Sequence, residues 1–429
     1  MSYIWPAAKR ILSAALARVP APVWRALSNI WISGATPPLI HPATSRLIIL
    51  DPSYKSSKGH HHALNRLIID SCQGSQIIAS VLASRYLDQD LLDPFVHRLF
   101  RCNVYSTNSS PAEFLERQLR TQNEVLVDLA LGGAGSWRSE TTIIVHTATA
   151  IEISAILLSL HRLKATCTVN VFLMLPPEYG NSIETTALSE NLYMKIYALA
   201  DKLHFTVRFW CESLTLVNRF RGVGLMSARF CSLPSAMPAC SESWPTATSR
   251  TIVFLVIGDA RTEKGLELIA RTVPRLADAK VRIRIRFVLT SLPKALKNIL
   301  EEYSPGIVEL QVLPFIPNDT YFQAIAQADY TLLAYDPVQY RTKNSNIVAE
   351  TISMGTPAIV SPGPNSLVDF LENFASGCFI EMQSYDEFGL MTSIMKAIVS
   401  ADALRESTRR CAAVVRHMRD PKRFLSCMV

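Results

Sequence analysis

Glu350 lies in the run Tyr340 to Pro362, Tyr-Arg-Thr-Lys-Asn-Ser-Asn-Ile-Val-Ala-Glu-Thr-Ile-Ser-Met-Gly-Thr-Pro-Ala-Ile-Val-Ser-Pro, and there its carboxylate can accept hydrogen bonds from the vicinal hydroxyls of a sugar. Asn344 and Ser345 are both helix-capping types, so the run reads as a helix entered through a polar turn. The amides of Ser345, Asn346 and Ile347 and the positive end of the helix dipole then face outward, an arrangement suited to phosphate. Gly355 closes the helix, and Ala358 to Ser361 reads as a short buried strand. Upstream, the apolar strand Ile252-Val-Phe-Leu-Val-Ile257 runs into Gly258-Asp-Ala-Arg-Thr-Glu-Lys-Gly265, and a helical pattern begins at Leu266.

Alternating strand and helix patterns must position these residues. Leu47 to Leu50, Gln76 to Ala83, Thr142 to His146 and Thr168 to Leu173 read as buried strands, with helices such as Ile151 to Leu163 between them. Leu192 to Lys202, a strand at Phe205 to Trp210 and a helix from Glu212 continue the rhythm of a parallel, doubly wound sheet. Pro234, Pro238 and Pro245 mark a linker. Ligands of such sheets gather at the carboxyl ends of strands, which selects the loop Asp51 to His62 and the loop after Val145. His60, His61 and His62 are adjacent, and neighbours on a helix point about 100° apart, so the three cannot readily share one ion. One is expected to face the site and the others solvent; no metal site is expected. His146 reads either as a site residue or as a satisfied core histidine. Arg282, Arg284 and Arg286 alternate with isoleucines, as on the solvated face of an edge strand.

The two charged motifs resemble the donor-site signature of retaining, two-Rossmann-domain glycosyltransferases of the GT-B type, the family 4-like group. In that family two glutamates with seven residues between them precede a Gly-x-Pro turn; Glu350 matches the second, and Thr342 stands at the first. The resemblance implies that Glu350 holds the ribose of a nucleoside diphosphate sugar. It also implies that Lys264 and Arg261, the latter displaced from the family's arginine position by Asp259, meet the donor diphosphate beside Gly258. Gly59 and His60 occupy the place of the family's donor-approaching first loop, and His146 that of its sugar-site histidine. Phe315 to Tyr330 resembles the helix and strand ahead of the glutamate motif, with Asn318 as helix cap and Asp329 at the helix end. The specific likeness covers about residues 250–375.

Composition bounds these readings. A chain of 429 residues with 49% apolar and 18% charged residues can bury two cores, and its net charge of +7 is too dispersed to argue for nucleic acid. The nine cysteines are scattered, with no Cys-x-x-Cys spacing, as in a reducing, cytoplasmic setting. No apolar run approaches the roughly 20 residues that span a bilayer. The first 50 residues carry Lys9, Arg10, Arg18, Arg25 and Arg46, no acid, and Trp5, Trp24 and Trp31. Such a leader can lie peripherally on the inner face of a membrane through residues 1–40, or pack as an ordinary helical extension.

The expected architecture is α/β: a basic amphipathic leader (1–45), a Rossmann-like acceptor domain (46–235), a linker (236–249), a Rossmann-like donor domain (250–395), and a C-terminal helical segment (396–429), with Asp402 to Met418 crossing back onto the first domain. Two doubly wound parallel sheets would face one another across a cleft. The expected activity is retaining sugar transfer from a nucleoside diphosphate sugar to the hydroxyl of a glycan or lipid-linked acceptor, without metal or cofactor, in polysaccharide or glycoconjugate synthesis. Two rivals stand: a non-catalytic descendant that binds a nucleotide sugar or glycan, and an epimerase acting on its own donor, which would need an acid or base pair.

Overall fold

The computed structural model describes residues 46–57, 60–75, 77–235, 237, 251–304 and 306–429. The leader 1–45, Gly59 and nearly all of the linker 236–249 lie outside the described residues.

The chain divides into two compact units. In the first, seven parallel strands, β1 (Leu47–Asp51), β2 (Ala79–Ser84), β3 (Val96–Phe100), β4 (Thr142–Val145), β5 (Thr168–Leu173), β6 (Thr206–Cys211) and β7 (Arg229–Phe230), lie in the order β3-β2-β1-β4-β5-β6-β7. Helices α1 (His60–Gly74), α2 (Pro111–Leu131), α3 (Ala150–Arg162), α4 (Ile183–Ala200) and α5 (Leu214–Gly222) connect them. The second unit has six parallel strands, β8 (Ile252–Gly258), β9 (Ile283–Leu289), β10 (Val308–Val312), β11 (Tyr330–Leu333), β12 (Ala358–Val360) and β13 (Phe379–Glu381), ordered β10-β9-β8-β11-β12-β13. Its helices are α6 (Leu266–Asp278), α7 (Lys294–Glu302), α8 (Asn318–Gln327), α9 (Asn346–Ser353), α10 (Ser366–Phe374) and α11 (Glu387–Met418), and α12 (Pro421–Met428) ends the chain.

The strands form as continuous apolar runs because helices cover both faces of each sheet. Leu47, Ile48, Ile49 and Leu50 are wholly buried, alternate residues feeding the cores on opposite faces. Strand order reverses between β1 and β4 in one sheet and between β8 and β11 in the other, so two loops diverge from each junction. These switch points are where open parallel sheets accept ligands.

Several local expectations shift. Pro317 holds the cap position of α8 and Asn318 is its first residue, because Pro fixes the extended φ a cap needs. Asp329 lies beyond the helix end at Gln327, where its Oδ2 accepts the Val253 amide at 2.7 Å and it pairs with Arg405. The guanidinium of Arg284 and that of Arg286 lie 3.7 and 2.9 Å from Glu309 on β10, so β9 is an inner strand and its arginines are ion-paired.

The C-terminal segment is a further correction. Residues 402–418 do not cross to the first unit: α11 spans 32 residues and packs on α6, α9 and β13 of the second. Leu390, Ile394 and Ala397 enter one of its cores and Val415 the other. The helix ends before Pro421, which starts α12. Only α12 joins the first unit, where Phe424, Leu425 and Met428 pack beside α1 and the Asn170 amide donates to the Met428 carbonyl at 3.3 Å. Phe424 is 2% exposed with its ring centroid 5.4 Å from that of Phe172. Phe424→Ala should therefore destabilise the first unit by about 3–5 kcal/mol, read as a lower urea midpoint for that unit's transition.

Candidate donor site and a buried histidine cluster

In the second unit the loop after β8 is built around two glycines. Gly265, at φ 68°, brings the chain so close to β11 that a Cβ there would sit 1.6 Å from the Ala334 carbonyl oxygen. Gly258, at φ 106°, ends β8; a Cβ there would lie 3.3 Å from Lys264 Nζ and 3.5 Å from Ile347 Cδ1. Gly258 thus lets the ammonium of Lys264 and the first turn of α9 converge on one spot.

Lys264 is half-buried, its Nζ 5.9 Å from the centroid of the Tyr335 ring, and makes no ion pair among the described residues. Burial, then the neighbouring Arg261 charge, lowers its pKa to about 8. Arg261 Nη1 lies 3.4 Å from Glu263, which also reaches Lys343 Nζ at 3.6 Å. Asp259 accepts from Thr290 Oγ1 at 2.8 Å and is tied to the end of β9.

Ser345 is the N-cap residue of α9, but its side chain accepts no capping hydrogen bond. Asn344 Oδ1 instead takes the Ser345 amide at 2.9 Å, so that amide is not available to a phosphate and the earlier expectation narrows to Asn346 and Ile347. Their amides have no intrahelical acceptor, being in the first turn. Asn346 Oδ1 accepts from the buried Arg419 at 2.7 Å. One turn on, Glu350 Oε2 accepts from the Tyr321 hydroxyl at 2.6 Å. Tyr335 and Tyr340, 3% and 2% exposed with their rings tilted against each other, floor the loop that leads to α9, and the Ser366 hydroxyl donates to the carbonyls of Tyr340 and Lys343. Tyr321, Tyr335, Tyr340 and Arg419 had no signal in the sequence, because each acts through a tertiary contact.

The switch point of the first unit carries a different arrangement. Asp51 at the end of β1 is fully buried and accepts from His61 Nδ1 at 2.9 Å, Asn65 Nδ2 at 2.8 Å and the Ser53 amide at 3.2 Å. His146 is also fully enclosed: its Nε2 lies 2.9 Å from Asn65 Oδ1 and its Nδ1 3.0 Å from Thr147 Oγ1. His60 Nε2 meets the same hydroxyl at 3.3 Å, and His61 Nε2 meets Tyr105 at 2.7 Å. Burial would raise the Asp51 carboxyl, yet the charge of His146 and the His61 and Asn65 contacts hold it down at about 2. Burial lowers the His146 pKa. Thr147 takes φ 51°, strained for a β-branched residue, to join the network.

His146 therefore sits inside the wall, not on its surface; it braces His60 through Thr147 and, through Asn65, the Asp51 carboxylate that holds His61. His61 is buried on Asp51 and so does not face solvent, while the half-buried His62 has its Nδ1 2.8 Å from the Tyr54 hydroxyl. Donor atoms of Asp51, His61 and His146 lie within 4.8 Å of one another, a set of ligand types able to hold a transition metal. One tautomer per ring already satisfies each of these atoms by hydrogen bonds, with Asp51 as the common acceptor.

No family model matches the sequence, and no curated protein matches it. Solved structures do resemble it. Sucrose-phosphate synthase from Thermosynechococcus elongatus superposes with a TM-score of 0.61 at 13% identity, over 89% of this chain and 97% of that one. A UDP-forming α,α-trehalose-phosphate synthase from Burkholderia xenovorans gives 0.61 at 10% identity, over 90% and 98%. HepE of Anabaena in complex with UDP gives 0.56 at 11% identity, over 89% and 97%. With its two doubly wound parallel sheets, the chain has the GT-B fold.

The half-buried ammonium has a measurable signature. Lys264 titrates at about 8 in the folded protein against an ordinary 10.5, so between those values the unfolded chain binds more protons and folded stability rises with pH. Lys264→Met removes that gain. The variant's advantage in melting temperature over the parent should be largest near pH 7 and should shrink towards about pH 10.

Proposed function

We propose that the protein is a glycosyltransferase that moves a sugar from a nucleoside diphosphate sugar to a hydroxyl acceptor with retention of anomeric configuration. The observation that carries this reading is the convergence, around Gly258, of a half-buried lysine with no ion pair among the described residues and the open first turn of α9, with Glu350 one turn further along. Lys264, Arg261 and the amides of Asn346 and Ile347 suit a diphosphate; Glu350 suits ribose hydroxyls. The fold shared with the trehalose-phosphate synthase and with UDP-bound HepE supports the choice of UDP as the first nucleotide to test.

In this reaction the bond between the anomeric carbon and the diphosphate oxygen breaks, and the acceptor oxygen bonds to the same face of that carbon. The acceptor's proton passes to the departing diphosphate. Negative charge grows on that leaving group, so cations fixed before the step stabilise the transition state more than the bound donor. No metal is invoked, because two basic side chains and a helix end meet the charge. Within the first unit, His60 and Tyr105 are exposed beside the buried Asp51 network. The acceptor is a glycan or a lipid-linked hydroxyl, and the basic, tryptophan-bearing residues 1–40 would favour a membrane surface. A non-catalytic nucleotide-sugar binder is the second reading, favoured by Thr342 in place of a carboxylate and by the engagement of Asp259 with Thr290.

Calorimetric titration with UDP tests the donor site. Glu350→Gln should weaken binding by roughly 1.5–3 kcal/mol while the variant melts near the parent temperature. Unchanged affinity would remove Glu350 from the site. With a donor in hand, Lys264→Ala should lower kcat more than it weakens binding, and turnover should persist in excess chelator; activity lost in chelator and restored by magnesium or manganese would contradict the metal-free reading.

A further inference from the structure

Tyr321 belongs to α8, yet its hydroxyl leaves that helix's own packing and donates to Glu350 on α9 at 2.6 Å. A phenol–carboxylate contact of that length is in the strong, charge-assisted range. Burial, reinforced by the Glu350 charge, drives the Tyr321 pKa well above its ordinary value, so the phenol keeps its proton and acts only as donor. Its ring is held edge-on to Phe322, with centroids 5.2 Å apart, against the apolar core that also receives Val348 and Ile352 of α9. The hydroxyl is therefore fixed from below by packing, and it fixes one oxygen of a carboxylate that is itself only half-buried.

A glutamate side chain has three rotatable bonds, and ordering them on binding costs conformational entropy. A carboxylate already pinned through Oε2 avoids most of that loss and presents Oε1, with the remaining lone pairs, in one orientation. A vicinal diol is the ligand feature that two adjacent acceptor lone pairs in a fixed plane can read, and a nucleotide lacking one of the two hydroxyls cannot match it. We propose that Tyr321 is a positioning residue whose phenol sets the Glu350 carboxylate to read both ribose hydroxyls, making the site selective for ribonucleoside over 2′-deoxyribonucleoside diphosphates. This inference rests on the donor-site reading above.

Its test compares UDP with 2′-deoxy-UDP by calorimetry on the full chain and on Tyr321→Phe, which keeps the ring and removes only the hydroxyl. The parent should prefer UDP by roughly tenfold or more, the worth of one charge-assisted hydrogen bond. In Tyr321→Phe that preference should narrow to within about threefold, chiefly through weaker UDP binding, while 2′-deoxy-UDP binds nearly as before. Tyr321→Met, which lacks the hydroxyl in another shape, should narrow it similarly, and thermal melts identify any variant that has simply unfolded. An undiminished preference in both folded variants, or an equal loss for the two nucleotides, overturns the positioning role alone. Failure of the parent to bind either nucleotide overturns the donor-site reading instead.

Discussion

A lysine ammonium drawn partly out of water, with no ion pair among the described residues, is the constraint around which the loops of the second unit are arranged. Desolvating a cation without pairing it costs free energy, and proteins retain such a group where an anion compensates. Each neighbouring feature keeps Lys264 in that state. Gly265 allows the loop to press against the Ala334 carbonyl, Gly258 removes the Cβ that would crowd the ammonium, and the Tyr335 ring offers a π face and no carboxylate. Glu263, the nearest acid in sequence, is drawn off towards Arg261 and Lys343.

The two switch points of the molecule solve the same geometric problem differently. Both gather polar side chains where two loops diverge from adjacent parallel strands. In the first unit the polar groups satisfy one another: Asp51, His61, Asn65, His146 and Thr147 form a closed network, rigid and almost without exposed surface. In the second unit the charges are left open towards the outside, and only the layer beneath them is closed, with Tyr321 under Glu350 and Arg419 under Asn346. A saturated network suits positioning; an open one over a saturated layer suits binding.

What the sequence disclosed follows the reach of each physical signal. Apolar runs located most strands, and the polar turn, Gly355 and the strand at Ala358 located α9, because these signals are local. Helix periodicity separated the three adjacent histidines, but it could not show that Asp51 and Tyr54 capture two of them. Capping statistics pointed to Asn318, whereas the proline before it takes the cap, and they counted the Ser345 amide as free although Asn344 closes on it. Tyr321 and Arg419 were illegible for the same reason: one reaches across from α8 and the other from beyond α11, and no spacing encodes such a contact. The α11–α12 break at Pro421 went unread in the single segment 396–429, and which core each helix joins depends on apolar stripes that both could have offered to either unit.

The central claim is that the loops after β8 and before α9 form one nucleotide diphosphate site. Amide hydrogen exchange of the full chain, measured with and without saturating UDP, tests it most directly. The account predicts slower exchange concentrated at residues 258–265 and 344–350, where a bound diphosphate would cover amides and hold the loop. Saturable binding of UDP with protection confined to other segments, and none at these two, would contradict it.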